Sequence, residues 1–292
     1  MPYLDYQPIS FLTERKNDTF FDLDNLKHCK TSALKDLGPA LEVTLDEFCI
    51  PGLDPEALEH RNQDQVVTRY GRRKNKHASD SSLRLITVPQ LWCWKIGSKL
   101  ILSFSDDALK LVLSAVKQDD DPKHIRSTGE EDEDLDMIIG LVLSRLINTL
   151  DRPSEISQSP LQLEQFGPRE SVFGIFTKSI TAVAQEVNEY TQTTADLNSI
   201  SIEKEMQVLH EINDIREEIS MMRIVISQQE DVWKNLVWNM WPEFWPTGET
   251  GQFKPPETGQ DAKKWREISR PQAQFLKYFK RFAQLDEDCR TS

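Results

Sequence analysis

The sequence predicts an α+β protein: a small β-sheet domain flanked by helices, followed by long stalk-like α-helices that share a heptad seam. Three observations carry that expectation. Residues 83–104 hold three β-rich runs, the last two separated by a turn containing Gly97. No proline occurs between Pro168 and Pro242, and apolar residues in that stretch recur at helical spacing. Between these parts, residues 118–136 are densely acidic and too poor in apolar groups to pack.

The elements follow in chain order. Leu41, Val43 and Leu45 alternate with Glu42 and Thr44 as a half-buried strand would, and 46–59 read as turns and a short helix. Residues 69–77 concentrate Arg69, Arg72, Arg73, Lys74 and Lys76; they read as a solvated loop, with contact to phosphate or anionic lipid as the alternative. The β-rich runs are 83–88, 91–96 and 100–104. Ser105, Asp106 and Asp107 are placed to cap a short helix through Val116.

The acidic run 118–136 has no EF-hand spacing, so it reads as a linker and helix start rather than a cation site. Its negative charge complements the positive end of a helix over the apolar stretch 137–150. Pro153, Pro160 and Pro168 exclude a long helix in 151–168. Val172, Phe176, Ile180, Val183, Val187 and Tyr190 then share one helical face, and 191–201 read as a hinge.

The clearest periodicity follows. Val208, Ile212, Ile215, Ile219, Met222, Ile226, Gln229, Trp233, Leu236 and Met240 are spaced alternately by four and three, and only Gln229 is polar. Such a helix extends roughly 50 Å and must lie along other helices or pair with copies of itself. Trp233, Trp238, Trp241 and Trp245 cluster with Pro242 and Pro246, as in a packed turn at the helix end, with a membrane-proximal aromatic belt as the alternative. A connector over 247–261 leads to a last helix over 272–285, after which 286–292 offer no closing element. The division is 1–117 as an α/β domain, 118–136 as linker, 137–168 as helix and connector, 169–241 as long helices, and 242–292 as connector and C-terminal helix.

Composition excludes several functions. A formal charge of −13 over 292 residues argues against nucleic acid, whose phosphates are bound by Lys and Arg. Cys29, Cys49, Cys93 and Cys289 form no C-x-x-C pair, which points to a reducing, cytoplasmic setting. His28, His60, His77, His124 and His210 form no metal-ligand pattern, and no nucleophile elbow or phosphate loop is present, so no catalytic residue, cofactor or metal ligand is assigned. His210 reads as a surface residue. Lys95 and Lys99 interrupt the longest apolar window, so no segment of this chain is expected to span a membrane.

Asp64, Gln65, Val66 and Val67 with Arg69 and Tyr70, followed by Val88, Pro89, Gln90, Leu91, Trp92, Cys93 and Trp94, resemble the N-terminal domain of fungal CorA-like magnesium transporter proteins. Two further blocks agree in order: 171–180 with 211–219 and 229–233, and 241–246 with 268–272 and 285–288. The resemblance covers roughly residues 41 to 288. It implies a cytosolic α/β domain feeding a long stalk helix, with Mg2+ as the cargo and no ligand assigned to it. It also implies self-association or co-assembly with full-length relatives through the stalk helices.

In the family the chain continues into another stalk helix and two membrane helices with a Gly-Met-Asn signature; none of these is in this sequence, so transport by this chain alone is not expected. A shortened product, a fragment and a paralogue turned helical interaction protein all remain open. Pro89 stands where relatives usually carry Asp, which puts one strand hydrogen bond in question. The residues expected to matter are therefore the packing seam Ile212, Ile215, Ile219, Met222, Ile226 and Trp233, and the motif residues Asp64, Gln65, Gln90, Leu91, Trp92 and Trp94.

Overall fold

The computed structural model describes residues 1, 5–8, 19–22, 43–74, 83–96, 99–104, 170–193, 201–240 and 260–291, with part of 139–150. The architecture is α+β and mostly helical. Six short strands, β1 (Asp5–Pro8), β2 (Thr19–Asp22), β3 (Val43–Thr44), β4 (Arg84–Val88), β5 (Trp92–Ile96) and β6 (Lys99–Phe104), form two antiparallel sheets ordered β1-β4-β3 and β2-β6-β5. β5 and β6 pair as a hairpin, with Ile96 opposite Lys99.

The three β-rich runs do not form one sheet. The chain leaves the first sheet at Val88 and enters the second at Trp92, and each sheet gains an edge strand from the N-terminal segment. Asp5–Pro8, paired with β4, and Thr19–Asp22, paired with β6, were not expected as strands. Pro89 falls just outside β4, so its missing N–H removes no bond from that ladder. The expected strand over 41–45 is also corrected. Val43 and Thr44 pair with β4, but the Thr44 hydroxyl accepts from Glu47 N at 3.2 Å and caps a helix beginning at Leu45; residues 41 and 42 lie outside the described residues.

That helix, α1 (Leu45–Cys49), is followed by a turn in which Gly52 adopts φ +91°, a conformation costly for a residue with a Cβ. Asp54 caps α2 (Pro55–Asp64), its Oδ1 accepting from Glu56 N and Ala57 N at 3.1 and 3.0 Å, with Pro55 at the first helical position. The basic run is not a loop through Lys74. It lies in α3 (Val66–Lys74), whose cationic side chains meet carboxylates of a distant helix.

Among the described residues three long helices follow: α4 (Val172–Thr193), α5 (Ile202–Met240) and α6 (Gln260–Thr291). At 39 residues, α5 is about 58 Å long. The last helix begins before and ends after the expected 272–285. Pro271 lies inside it, and Cys289 in its last turn is buried, so residues after Leu285 do close the packing.

On α4, Val172, Phe176, Ile180 and Val183 are buried; on α5, Ile215, Ile219, Met222, Ile226, Gln229 and Trp233; on α6, Phe275, Tyr278, Phe282, Leu285 and Cys289. Val208, Ile212 and Leu236 are only partly buried. Phe173 of α4 stacks on Tyr278 at 5.5 Å and meets Phe282 at 5.2 Å, while Trp233 meets Phe275 at 6.0 Å. Each such ring contributes roughly 1.5–3 kcal/mol through burial. The described positions between 139 and 150 join this core, and Tyr278 Oη donates to Ile147 O at 2.8 Å.

One continuous core runs from Leu45, Val66 and Ile86 through the three helices. The expected helix over 105–116, the acidic linker and the connectors over 151–168 and 247–259 lie outside the described residues. No helix among the described residues is long and apolar enough to cross a membrane.

Candidate functional site

The densest polar constellation is the joint where α1, α3 and β4 meet α5. A helix start leaves its first backbone N–H groups without intrahelical partners. At α3 the Val66 N–H is satisfied from far along the chain: it donates to Glu218 Oε1 of α5 at 2.7 Å. Gln65, just before, is buried and acts in both directions. Its Nε2 donates to Asp46 Oδ2 of α1 at 2.9 Å, and its Oε1 accepts from Ile86 N of β4 at 2.9 Å. The carboxamide thus ties helix to strand where neither a carboxylate nor an amine could, since it alone offers donor and acceptor together.

Asp46 presents its second oxygen to Arg61 Nε at 2.8 Å, and Arg61 Nη2 continues to Glu217 Oε1 at 3.0 Å. Arg69 Nη1 bridges Asp64 Oδ1 at 3.2 Å and Asp214 Oδ2 at 2.9 Å. Arg73 reaches Glu211 at 2.6 Å. On α5 the receiving carboxylates are Glu211, Asp214, Glu217 and Glu218, a spacing of three to four that puts them along one side of the helix.

Glu218 is the chemical outlier. Burial, reinforced by the neighbouring Asp46 and Asp214 carboxylates, pushes its carboxyl well above the usual range, outweighing the Val66 N–H and the Arg69 guanidinium that favour the ionised form. Its Oε2 and the Arg69 Nη2 are buried without a hydrogen-bond partner among the described residues. The Glu218 carboxyl therefore keeps its proton to higher pH than an exposed glutamate.

Beside the joint, Glu170 accepts from Lys74 Nζ at 2.6 Å, Lys178 Nζ at 2.8 Å and Tyr70 Oη at 2.8 Å. Partial burial disfavours its charge, but these hydrogen bonds prevail and hold it at about 2. The lysines of the cluster are exposed, so water and salt screen these pairs.

A metal reading of the joint fails on its chemistry. Asp64, His210 and Asp214 bring one ligand atom each within 4.8 Å of one another. Arg69 already places its positive charge on both carboxylates, and a Mg2+ ion demands octahedral oxygen ligands rather than a trio that includes imidazole. His210 itself is three-quarters exposed, with Nδ1 3.6 Å from Asp214.

Of the expected residues, the structure brings Asp64 and Gln65 into this joint. Gln90 forms an isolated bridge, and buried Leu91 exchanges backbone hydrogen bonds with Met1. Trp92 and Trp94 contribute backbone pairs to β5; their side chains lie outside the description. The seam residues Ile215, Ile219, Met222, Ile226 and Trp233 sit in the helical core rather than at the joint. Asp46 and Arg61 were not singled out from sequence, and Arg69, Asp214 and Glu218 entered only through the basic run and the family-like blocks, without partners assigned. The available signal was the match between basic side chains at 69 and 73 and acidic ones at 211, 214 and 218, both at helical spacing. Compared with family models, curated proteins and solved structures, the chain matches none.

Proposed function

We propose that this chain is the cytosolic, extramembrane portion of a CorA-like divalent-cation transporter protein, with Mg2+ as the cargo. In this reading α4, α5 and α6 are its stalk, the alternating four-and-three spacing of α5 is a heptad seam, and the chain neither conducts nor catalyses by itself. The observation that carries the reading is the use made of the motif residues. Val66 and Arg69 bond directly to Glu218 and Asp214 of the long helix, while Asp64 holds the Arg69 guanidinium and Gln65 ties α1 to β4 behind them. Residues spent on coupling two parts suit a protein that transmits position, not one that performs chemistry.

The test is uptake of Mg2+ by a transport-deficient cell. The chain alone is expected to give none, whereas residues 1–288 fused ahead of a relative's remaining stalk and pore helices are expected to restore it. Uptake with the chain alone, or an inert fusion that is expressed and inserted, would overturn the reading. A second reading, a helical interaction protein acting without a pore, is favoured by one observation: Ile202, Met206 and Leu209 on α5 are exposed.

A further inference from the structure

Glu218 enters the joint as one carboxyl too many. Asp46 of α1 shares Arg61 of α2 with Glu217 of α5, at 2.8 and 3.0 Å. Asp64 of α2 likewise shares Arg69 of α3 with Asp214 of α5, at 3.2 and 2.9 Å, and Arg73 is committed to Glu211. Arg61, Arg69 and Arg73 are thus all engaged before Glu218 is counted. Glu218 is 6% exposed; its Oε1 accepts from Val66 N at 2.7 Å, while its Oε2 and Arg69 Nη2 are buried without a partner among the described residues. Neutral, the carboxyl is short of one partner. Ionised, it is a buried charge without a cation of its own, which is far costlier.

Two further titratable groups border the joint. Cys49 of α1 places Sγ 3.9 Å from Met221 O of α5, and burial pushes its thiol up to about 11, which keeps it neutral. His210 of α5 lies with Nδ1 3.6 Å from Asp214 and faces water. β4 enters through Ile86 N, which Gln65 occupies. Burial opposes a charge on Glu218 most, Asp46 and Asp214 add repulsion, and the Val66 N–H and the Arg69 attraction do not offset them. On the next turns of α5, Ile219, Met222 and Ile226 pack among apolar side chains and do not respond to a proton. The ionised carboxyl gains water once the Val66 bond breaks and the first turn of α3 lifts from α5, with those contacts intact.

We propose that the joint is a proton-controlled latch between the β-bearing head and α5: with the Glu218 proton in place α3 is held, and loss of that proton frees its first turn. The closed form is the one that holds the extra proton, so raising the pH opens the latch and lowering it closes the latch. Attachment of the head to the long helix then follows the acidity around the chain. The latch rests on the coupling role proposed for the joint. Its test reads the joint alone, so a failed latch leaves the transport reading to the uptake experiment.

Backbone hydrogen exchange of the full chain, resolved to single amides and corrected for the intrinsic rate at each pH, reads the latch directly, because the Val66 amide is itself the latched group. Between about pH 5 and 8 its protection is expected to fall by up to about tenfold per pH unit, the limit for an opening that releases one proton. It is also expected to stay at least about tenfold below that of Phe275 and Phe282 in α6, since the latch opens without the bundle. In Glu218→Gln, which keeps the acceptor, Val66 protection is expected to be flat with pH, whereas His210→Gln is expected to keep the wild-type slope. A flat Val66 profile in the wild type overturns the proposal, and that result needs no variant to fold. So does equal protection at Val66, Phe275 and Phe282 at every pH, which would mean that α3 opens only when the whole chain unfolds. A slope that survives Glu218→Gln, or that disappears with His210→Gln, places the sensor elsewhere and overturns it too.

Discussion

Val66 and Glu218 lie 152 positions apart, yet the backbone N–H that opens α3 donates to the Glu218 side chain at 2.7 Å. A protonated carboxyl accepts this bond without introducing a net charge into the core. The native state therefore keeps a proton that the unfolded chain releases above the ordinary value of 4.5. Because the native state binds the extra proton, this group lowers stability progressively as pH rises from about 4.5 to its raised native value, and the loss is complete beyond it. Glu218→Gln keeps the acceptor for Val66 and removes the titration. Urea melts between about pH 4 and 8 should show a shallower decline for this variant than for the wild type. Identical slopes would contradict the protonated state.

Gln65 should be among the most sensitive polar positions. Gln65→Leu leaves the Ile86 N–H and one Asp46 oxygen unpaired inside the joint, at about 1–3 kcal/mol for each buried group. Neighbouring Gln63 is exposed, and Gln63→Leu should change stability by less than about 0.5 kcal/mol. Equal small effects at the two positions would refute the coupling role assigned to Gln65.

Gln229 makes the opposite prediction. It is 1% exposed, and neither side-chain polar atom has a partner among the described residues. Replacement by leucine removes two unsatisfied groups at nearly constant volume, so Gln229→Leu should raise stability by about 1–3 kcal/mol. A lower melting temperature would mean that the carboxamide is hydrogen-bonded to a buried water.

Ile219 is 2% exposed in the core formed with α4 and α6. Ile219→Asp places a carboxylate there without a partner, at a cost of several kcal/mol. Light scattering should give the same mass for variant and wild type, while the variant melts lower. Loss of an oligomer without a lower melting temperature would show that Ile219 packs between chains instead.

Much of the helical part was legible because periodicity is a local property. Apolar residues spaced by three and four must share a face whatever that face meets, so Val172 through Val183 and Ile215 through Trp233 could be assigned to packing from spacing alone. The same logic found the β5–β6 hairpin. It failed where one residue is read two ways: the alternation of Leu41 to Leu45 suggests a strand, but Thr44 can also cap, and capping governs from Leu45 onward.

The joint was not legible for a different reason. Arg69 and Arg73 belong to a run rich in charge, and such a run normally faces water. Only a carboxylate-bearing helix more than a hundred positions away turns it into an ordered face. Gln65 likewise has no pattern of its own, because its three-way role depends on α1, β4 and α3 meeting at one point. Sequence by itself determined which residues leave water, since hydrophobicity and its period are written locally. Tertiary structure alone decided which sheet each strand joins and which carboxyl is pushed above its ordinary range, because hydrogen-bond partners and desolvation exist only between segments that folding has brought together.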